Sequence, residues 1–234
     1  MVDRVPRWWK LAGVMAVIAG PALAQPAPVV VELFTSEGCS SCPPADEFLT
    51  DLAHSGRNVL PLAFHVTYWD RLGWRDPFSL AAATERQRSY ARSLGDGGVY
   101  TPEMVVGGTQ GFVGSEREQG LAVIARAAGA ASGVPLQVWR ENGAVTVSVG
   151  AGRERAEILL VGYDPEHRTP VGRGENSGRT LLESNIVRSL TSLGQWNGQA
   201  LRVDAKLPEG ERFAVLLQAE DGRIVSAATD LGRH

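Results

Sequence analysis

The stretch Val29-Val30-Val31-Glu32-Leu33-Phe34-Thr35-Ser36-Glu37-Gly38-Cys39-Ser40-Ser41-Cys42-Pro43-Pro44-Ala45-Asp46 carries most of the information on fold. The β-branched run from Val29 to Phe34 predicts a buried strand. Thr35 to Gly38 makes a short turn, and C-x-x-C follows. From Ala45 to His54 the apolar residues Phe48, Leu49, Leu52 and Ala53 recur at helical spacing, with Asp46 and Glu47 in the first turn. Pro43 and Pro44 suit a helix opening, where missing N–H groups cost little, and Gly56 ends the helix. The cysteines therefore lie between the end of a strand and the start of a helix. Cysteine chemistry runs through the thiolate, and the positive end of a helix stabilises that anion. Cys39 is expected to be the exposed nucleophile, with Cys42 a turn deeper as the thiol that resolves a mixed disulfide. A purely structural bond is the weaker reading, because so short a loop constrains the unfolded chain little.

Working outward, Val59 to Val66 is a second strand-like run that ends in His65. An irregular aromatic stretch follows, including Tyr68, Trp69, Asp70 and Trp74. Ser79 is placed to cap a helix through about Leu94. Val99 to Gly108 contains Thr101-Pro102 and reads as a strand, and a Gly-containing hairpin leads to Phe112-Val113-Gly114. Ser115 with Glu118 forms a capping box for a helix to about Ala131. Alternating strands and helices predict a small α/β layer with helices on the faces of a sheet.

The texture changes near residue 132. Val134–Arg140, Val145–Val149, Ala156–Tyr163, Asn185–Ser192, Leu201–Ala205, Phe213–Gln218 and Ile224–Ala228 are short alternating segments separated by turns. They predict an all-β, sandwich-like second domain over 133–234, after an α/β domain over 25–132. Asp164–Thr180, rich in charge and glycine, reads as a long exposed loop.

Residues 1–24 read as a signal peptide. Arg4, Arg7 and Lys10 precede an apolar run from Leu11 to Ala19, and Ala22-Leu23-Ala24 is a small-x-small cleavage pattern. The uncharged run is shorter than the ~20 residues of a spanning helix, so no stable membrane span is expected after cleavage, and the mature chain is expected in the periplasm or secreted. Cleavage removes Arg4, Arg7, Lys10 and Asp3 and moves the formal charge from −3 to −5. A mildly acidic chain without basic clusters sets aside nucleic acid as a partner. In an oxidising compartment a pair as close as Cys39 and Cys42 can form a disulfide. A single C-x-x-C with no second ligand pair is a poor zinc site.

Strand–C-x-x-C–helix, followed by Thr101-Pro102 and Gly107-Gly108, resembles the thioredoxin fold. The phrases Leu33 to Asp46 and His65-Val66-Thr67-Tyr68-Trp69-Asp70 resemble, more closely, the DUF1223 family of exported thioredoxin-like proteins. Arg173-Gly174-Glu175-Asn176 and Asn185-Ile186-Val187-Arg188 are similar to that family too. The resemblance implies that Pro102 is a cis-proline facing the cysteines and that the Thr101 backbone pairs with substrate. The residue before Cys39 is glycine and the intervening pair is Ser40-Ser41, both departures from thioredoxin.

The leading functional reading is a thiol–disulfide oxidoreductase, with Cys39 and Cys42 as the redox pair and Thr101 and Pro102 holding the substrate chain. Its partners are protein thiols or disulfides and a redox partner that recharges the pair. It calls for no organic cofactor, because the cysteines store the electrons. Tyr68, Trp69, Asp70 and Trp74 either rim the thiol site as a substrate wall or glue the two halves together. His65, at the C-terminal end of a strand, is an auxiliary base, a third ligand for copper beside two thiolates, or a core histidine bonded to backbone. His54, His167 and His234 read as surface residues. Two other functions stay open: a copper-handling assembly protein using Cys39, Cys42 and His65, and a binding module on a thioredoxin scaffold. Asn176 is the one loop residue singled out as a dock against the first half. If the signal reading is correct, N-terminal sequencing of the exported protein will begin near Gln25; a start at Met1 or Val2 would show that the leader is kept.

Overall fold

The computed structural model describes residues 26–95, 97–129 and 133–230; the expected signal peptide, its cleavage site, residue 132 and His234 lie outside them. The chain runs β1 (Val29–Thr35), α1 (Pro43–His54), β2 (Val59–His65), α2 (Ala81–Leu94), β3 (Glu103–Val106), β4 (Gln110–Val113) and α3 (Arg117–Gly129). Seven strands follow: β5 (Leu136–Glu141), β6 (Ala144–Val149), β7 (Ala156–Pro170), β8 (Thr180–Trp196), β9 (Leu201–Lys206), β10 (Arg212–Gln218) and β11 (Ile224–Thr229). The result is a mixed α/β protein with a large sheet and few helices. No described helix is long and apolar enough to cross a membrane.

One eight-stranded sheet, in the order β11-β10-β7-β8-β2-β1-β3-β4, crosses both halves of the sequence. β1 is parallel to β2 and antiparallel to β3. Four of the seven later strands thus extend the sheet begun by the first half, while β5-β6-β9 form a separate three-stranded sheet. The junction is one parallel register pair, Ala63 with Ile186. Pro61 in β2 has no N–H to give, so the ladder is interrupted there. Asn185 compensates: with φ at 50° its side-chain amide reaches the Pro61 carbonyl at 2.8 Å.

Strand alternation sorts the core into three parts. Val29, Val31 and Leu33 of β1 pack with Phe48, Leu49 and Leu52 of α1 and with Val123 and Ile124 of α3. Val30 and Phe34 point the other way, with Leu60, Leu62 and Phe64 of β2, Val161 of β7 and Tyr90 of α2. Where the helices stop, the three-stranded sheet takes over: Val145, Val147 and Val149 meet Ile158, Leu160, Phe213 and Val215. Glu32, a charge inside β1, is bound by Arg86 of α2 through Nε at 2.9 Å and Nη2 at 2.7 Å. Arg86 Nη1 also donates to Gln218 of β10 at 2.8 Å, so α2 ties together strands from both halves.

Two expectations change. Ser79 does not cap α2, which begins at Ala81 with no side-chain cap; its hydroxyl donates to Asp70 instead. Asp164–Thr180 is a loop only over 171–179, because Asp164–Pro170 continues β7 and Thr180 opens β8. Their backbones satisfy each other from Asp164–Ile186 out to Pro170–Thr180, and interstrand hydrogen bonds form whatever the polarity of the side chains. β10 pairs with β7 only from Glu157 to Tyr163, so the outer part of β7–β8 is a two-stranded arm.

The sheet curls until the β3–β4 turn meets the start of β11, where Ile224 N–H donates to the Gly107 carbonyl at 2.9 Å. Gly108, at φ 72°, leaves no room for a side chain: a Cβ would lie 2.0 Å from the Gly222 carbonyl oxygen. Gly143, at φ 77°, has nothing within 4 Å. Gly143→Ala should cost only the left-handed backbone penalty, about 1–2 kcal/mol. Gly108→Ala should cost clearly more in urea unfolding, and equal losses would mean that the two turns do not depend on each other.

Candidate functional site

Cys39 and Cys42 form a disulfide, with an S–S distance of 2.06 Å and Cα atoms 5.4 Å apart. Cys42 is the N-cap of α1, and its carbonyl accepts the Ala45 and Asp46 N–H groups at 2.8 and 3.1 Å. Cys39 therefore stands just ahead of the first turn. The Thr101–Pro102 peptide bond is cis. Gly114 lies between the Pro102 ring and Ala45 of α1: a Cβ on it would fall 3.3 Å from Pro102 and 3.2 Å from Ala45. Trp69 approaches from the other side, with its indole N–H on the Thr101 hydroxyl at 2.8 Å and its Cβ 3.4 Å from where a Gly38 Cβ would be.

The expected exposure of Cys39 is corrected. Neither cysteine has any accessible surface, although Ser40 and Ser41 between them are exposed. Hydrogen bonds to this turn come from a part of the chain where sequence periodicity gave no helix or strand: residues 171–179 at the tip of the β7–β8 arm. Asn176, itself fully buried, donates to the carbonyls of Glu37 and Cys39, both at 2.9 Å. Glu175 Oε2 accepts the Ser40 N–H at 3.1 Å and its hydroxyl at 2.6 Å, which holds the Glu175 carboxyl below its ordinary range. Trp74 adds its indole N–H to Glu37 Oε2 at 2.7 Å. Asn176 was the one residue of this segment that sequence reading singled out as a dock; nothing in the linear pattern placed Glu175 on the cysteine turn.

Five ionisable groups are buried together on the α1 side of the sheet. His65 Nδ1 is 2.7 Å from Asp76 Oδ2, and Nε2 is 3.6 Å from Glu183 Oε1 of the β7–β8 arm. Asp76 also accepts the Glu37 N–H at 2.9 Å. Asp46 of α1 accepts the Thr35 hydroxyl at 2.7 Å. Burial works against a charged His65 ring, but Asp76 first and then Glu183 outweigh it and lift the ring to about 10. Burial likewise opposes ionisation of Asp76, yet His65 and the backbone donors hold its carboxyl below the usual range. Burial pushes Asp46 up to about 7, and Glu37 and Glu183 upward as well. The arrangement is a buried imidazolium–carboxylate pair, with neighbouring carboxyls that hold their protons more tightly than in water.

His65 is thus a core histidine held by carboxylates rather than by backbone. Its two nitrogens face Asp76 and Glu183, and among the described residues no group of three His, Cys, Asp or Glu side chains could hold a metal ion. The copper reading loses its third ligand. Of the aromatic residues, Trp69 and Trp74 reach the cysteine turn, whereas Tyr68 bonds Gln87 of α2 at 3.2 Å. Asp70 serves the local turn by accepting the Ser79 hydroxyl at 2.7 Å and the Asp76 N–H at 3.3 Å. His54 and His167 are exposed, though the His167 ring lies 4.8 Å from that of Phe78.

Because its folded-state value lies above the free value of 6.5, His65 contributes stability that is complete below pH 6.5 and lost as pH rises through about 10. Imidazole ¹⁵N shifts should therefore remain those of the doubly protonated ring at pH 8. A ring that titrates near 6.5 would contradict the ion pair.

A family model described as "Protein of unknown function (DUF1223)" matches residues 30–218. No curated protein matches the chain. Among solved structures, protein AGR_C_4864 from Agrobacterium tumefaciens is 32% identical with a TM-score of 0.78, over 90% of this chain and 97% of that one. HBP35 of Porphyromonas gingivalis is 15% identical with a TM-score of 0.57, over 87% of this chain and 74% of that one, a likeness of fold alone. With most of its length matched by the family model, the chain belongs to the DUF1223 family.

Proposed function

We propose that this protein is an exported thiol–disulfide oxidoreductase of thioredoxin-like architecture, acting in the periplasm or outside the cell on thiols or disulfides of other proteins. The observation that carries the reading is the joint placement of the Cys39–Cys42 disulfide at the start of α1 and the cis Thr101–Pro102 bond beside that same turn. A bond closing so short a loop adds little stability, so its position at a helix N-terminus points to chemistry.

In the reduced protein the Cys39 thiolate attacks one sulfur of a substrate disulfide, which breaks that bond and releases one substrate thiolate. The Cys42 thiolate then attacks Cys39 Sγ in the mixed disulfide and releases the second. The cysteine pair loses two electrons, the substrate gains two, and its two thiolates take up two protons. Run in reverse, the same steps oxidise a substrate dithiol. A dithiol or disulfide protein returns the pair to its starting state. Thr101 offers its backbone beside the cis bond to the substrate chain.

A second reading has its own observation: the full burial of both cysteines favours a binding module that keeps an inert disulfide. The reduction potential separates the two. Equilibration with glutathione should give a value between about −270 and −120 mV, the span of catalytic dithiols, and a value below about −300 mV would assign the bond a structural role. Cys39→Ser should abolish exchange with a disulfide-containing test protein, while Cys42→Ser should accumulate mixed disulfides. Full activity in Cys39→Ser would remove Cys39 as the nucleophile.

A further inference from the structure

A buried disulfide cannot meet a substrate sulfur, so the exchange function proposed above, on which this inference rests, needs a way in. One short segment of the second half is hydrogen-bonded to the turn that carries the disulfide. Between the end of β7 at Pro170 and the start of β8 at Thr180, only Val171 and Asn176 are buried, and the other residues from 172 to 179 are exposed. The segment is ordered by its own bonds: Val171 N–H to the Arg179 carbonyl at 2.9 Å, Gly178 N–H to the Val171 carbonyl at 2.8 Å, and Ser177 N–H to the Gly174 carbonyl at 3.2 Å.

Its hydrogen bonds to the cysteine turn are of a different kind. They come from two side chains, Asn176 onto the carbonyls of Glu37 and Cys39, and Glu175 onto Ser40. Arg179 Nη1 holds the Asn176 amide oxygen at 3.0 Å and so aims its donors at the turn. A unit that is closed on itself and latched to its target by side chains can leave without breaking any strand pairing. Glu175 adds a chemical element. It takes the Ser40 N–H, a donor at the mouth of α1, and it places a carboxylate on the residue next to Cys39, so the latch opposes both access and the anion.

We propose that residues 171–179 form an autoinhibitory cover over Cys39–Cys42, latched by Asn176 and Glu175, and that thiol exchange requires this cover to lift. The closed form protects the disulfide from small thiols, and a partner reaches it by displacing the latch. Lifting leaves the β7–β8 ladder and the His65–Glu183 contact in place, because both lie on the strands below Thr180 and Pro170.

The test is the rate at which dithiothreitol reduces Cys39–Cys42 in the folded mature protein, read by alkylation and mass spectrometry. Dithiothreitol ends as its cyclic disulfide and the protein as a dithiol. Asn176→Ala removes two of the latch bonds without changing charge, and it should be reduced about tenfold or more faster than the natural chain, the scale on which lost hydrogen bonds move an opening equilibrium. Glu175→Gln, an exposed conservative change that leaves folding alone, should also be faster. Val147→Ala loosens the core beneath the three-stranded sheet, a cluster that contains no residue of the latch, and should keep the natural rate. The proposal is overturned if both latch variants are reduced at the natural rate, or if Val147→Ala speeds reduction as much as they do, since reduction would then proceed through general unfolding. Exchange with insulin disulfides is scored separately. Latch variants that react fast with dithiothreitol yet never exchange with insulin would keep the cover and remove the oxidoreductase reading.

Discussion

Asp76 Oδ2 holds both the ring of His65 and the backbone N–H of Glu37, two residues before Cys39, and the geometry of the cysteine turn follows from that one carboxylate. His65 ends β2, Asp76 ends the aromatic loop, and Glu183 on the β7–β8 arm faces the other side of the ring. Three segments distant in sequence are thus fixed around one buried imidazolium. Removing one partner of such a pair would strand a charge in a dry interior at a cost of about 3–5 kcal/mol. The pair therefore locks the relative position of its elements more than it adds net stability.

The same construction explains how a polar turn can be buried. Glu37, Ser36 and Thr35 have no accessible surface, or almost none, yet each has a hydrogen-bonding role: Thr35 on Asp46, Ser36 on the Gly38 N–H, and Glu37 on Trp74. The Glu37 carbonyl goes to Asn176, which also adds a second donor to the Cys39 carbonyl beside the Cys42 N–H. Buried polar groups need such partners, and here most are supplied by loops outside the strand–helix unit. In the full chain the turn is hydrogen-bonded by residues more than a hundred positions away, so the β-rich half shapes the surroundings of the cysteines.

The strand–helix grammar was legible because it rests on local physics. Hydrophobic period, Pro43 and Pro44 at a helix start, and glycines at turns all act within a few residues, and each of the seven later segments overlaps an observed strand, although β7 and β8 run well beyond their expected bounds. The outer arm was misread for a reason of the same kind: Asp164 to Pro170 is charged and carries two prolines, which reads as loop until a partner strand supplies the hydrogen bonds.

Sequence alone determined most of the elements and the cysteine pair at a helix opening, since these depend on near neighbours along the chain, while the cis-proline was implied only by the family resemblance. Tertiary structure alone decided that four later strands would continue the first sheet, that His65 would be held by carboxylates, and which atoms of the cysteine turn Asn176 and Glu175 would bond. Those outcomes depend on which surfaces meet, and a pattern of residue types does not encode the partner of a polar side chain when that partner is a backbone carbonyl on a distant turn.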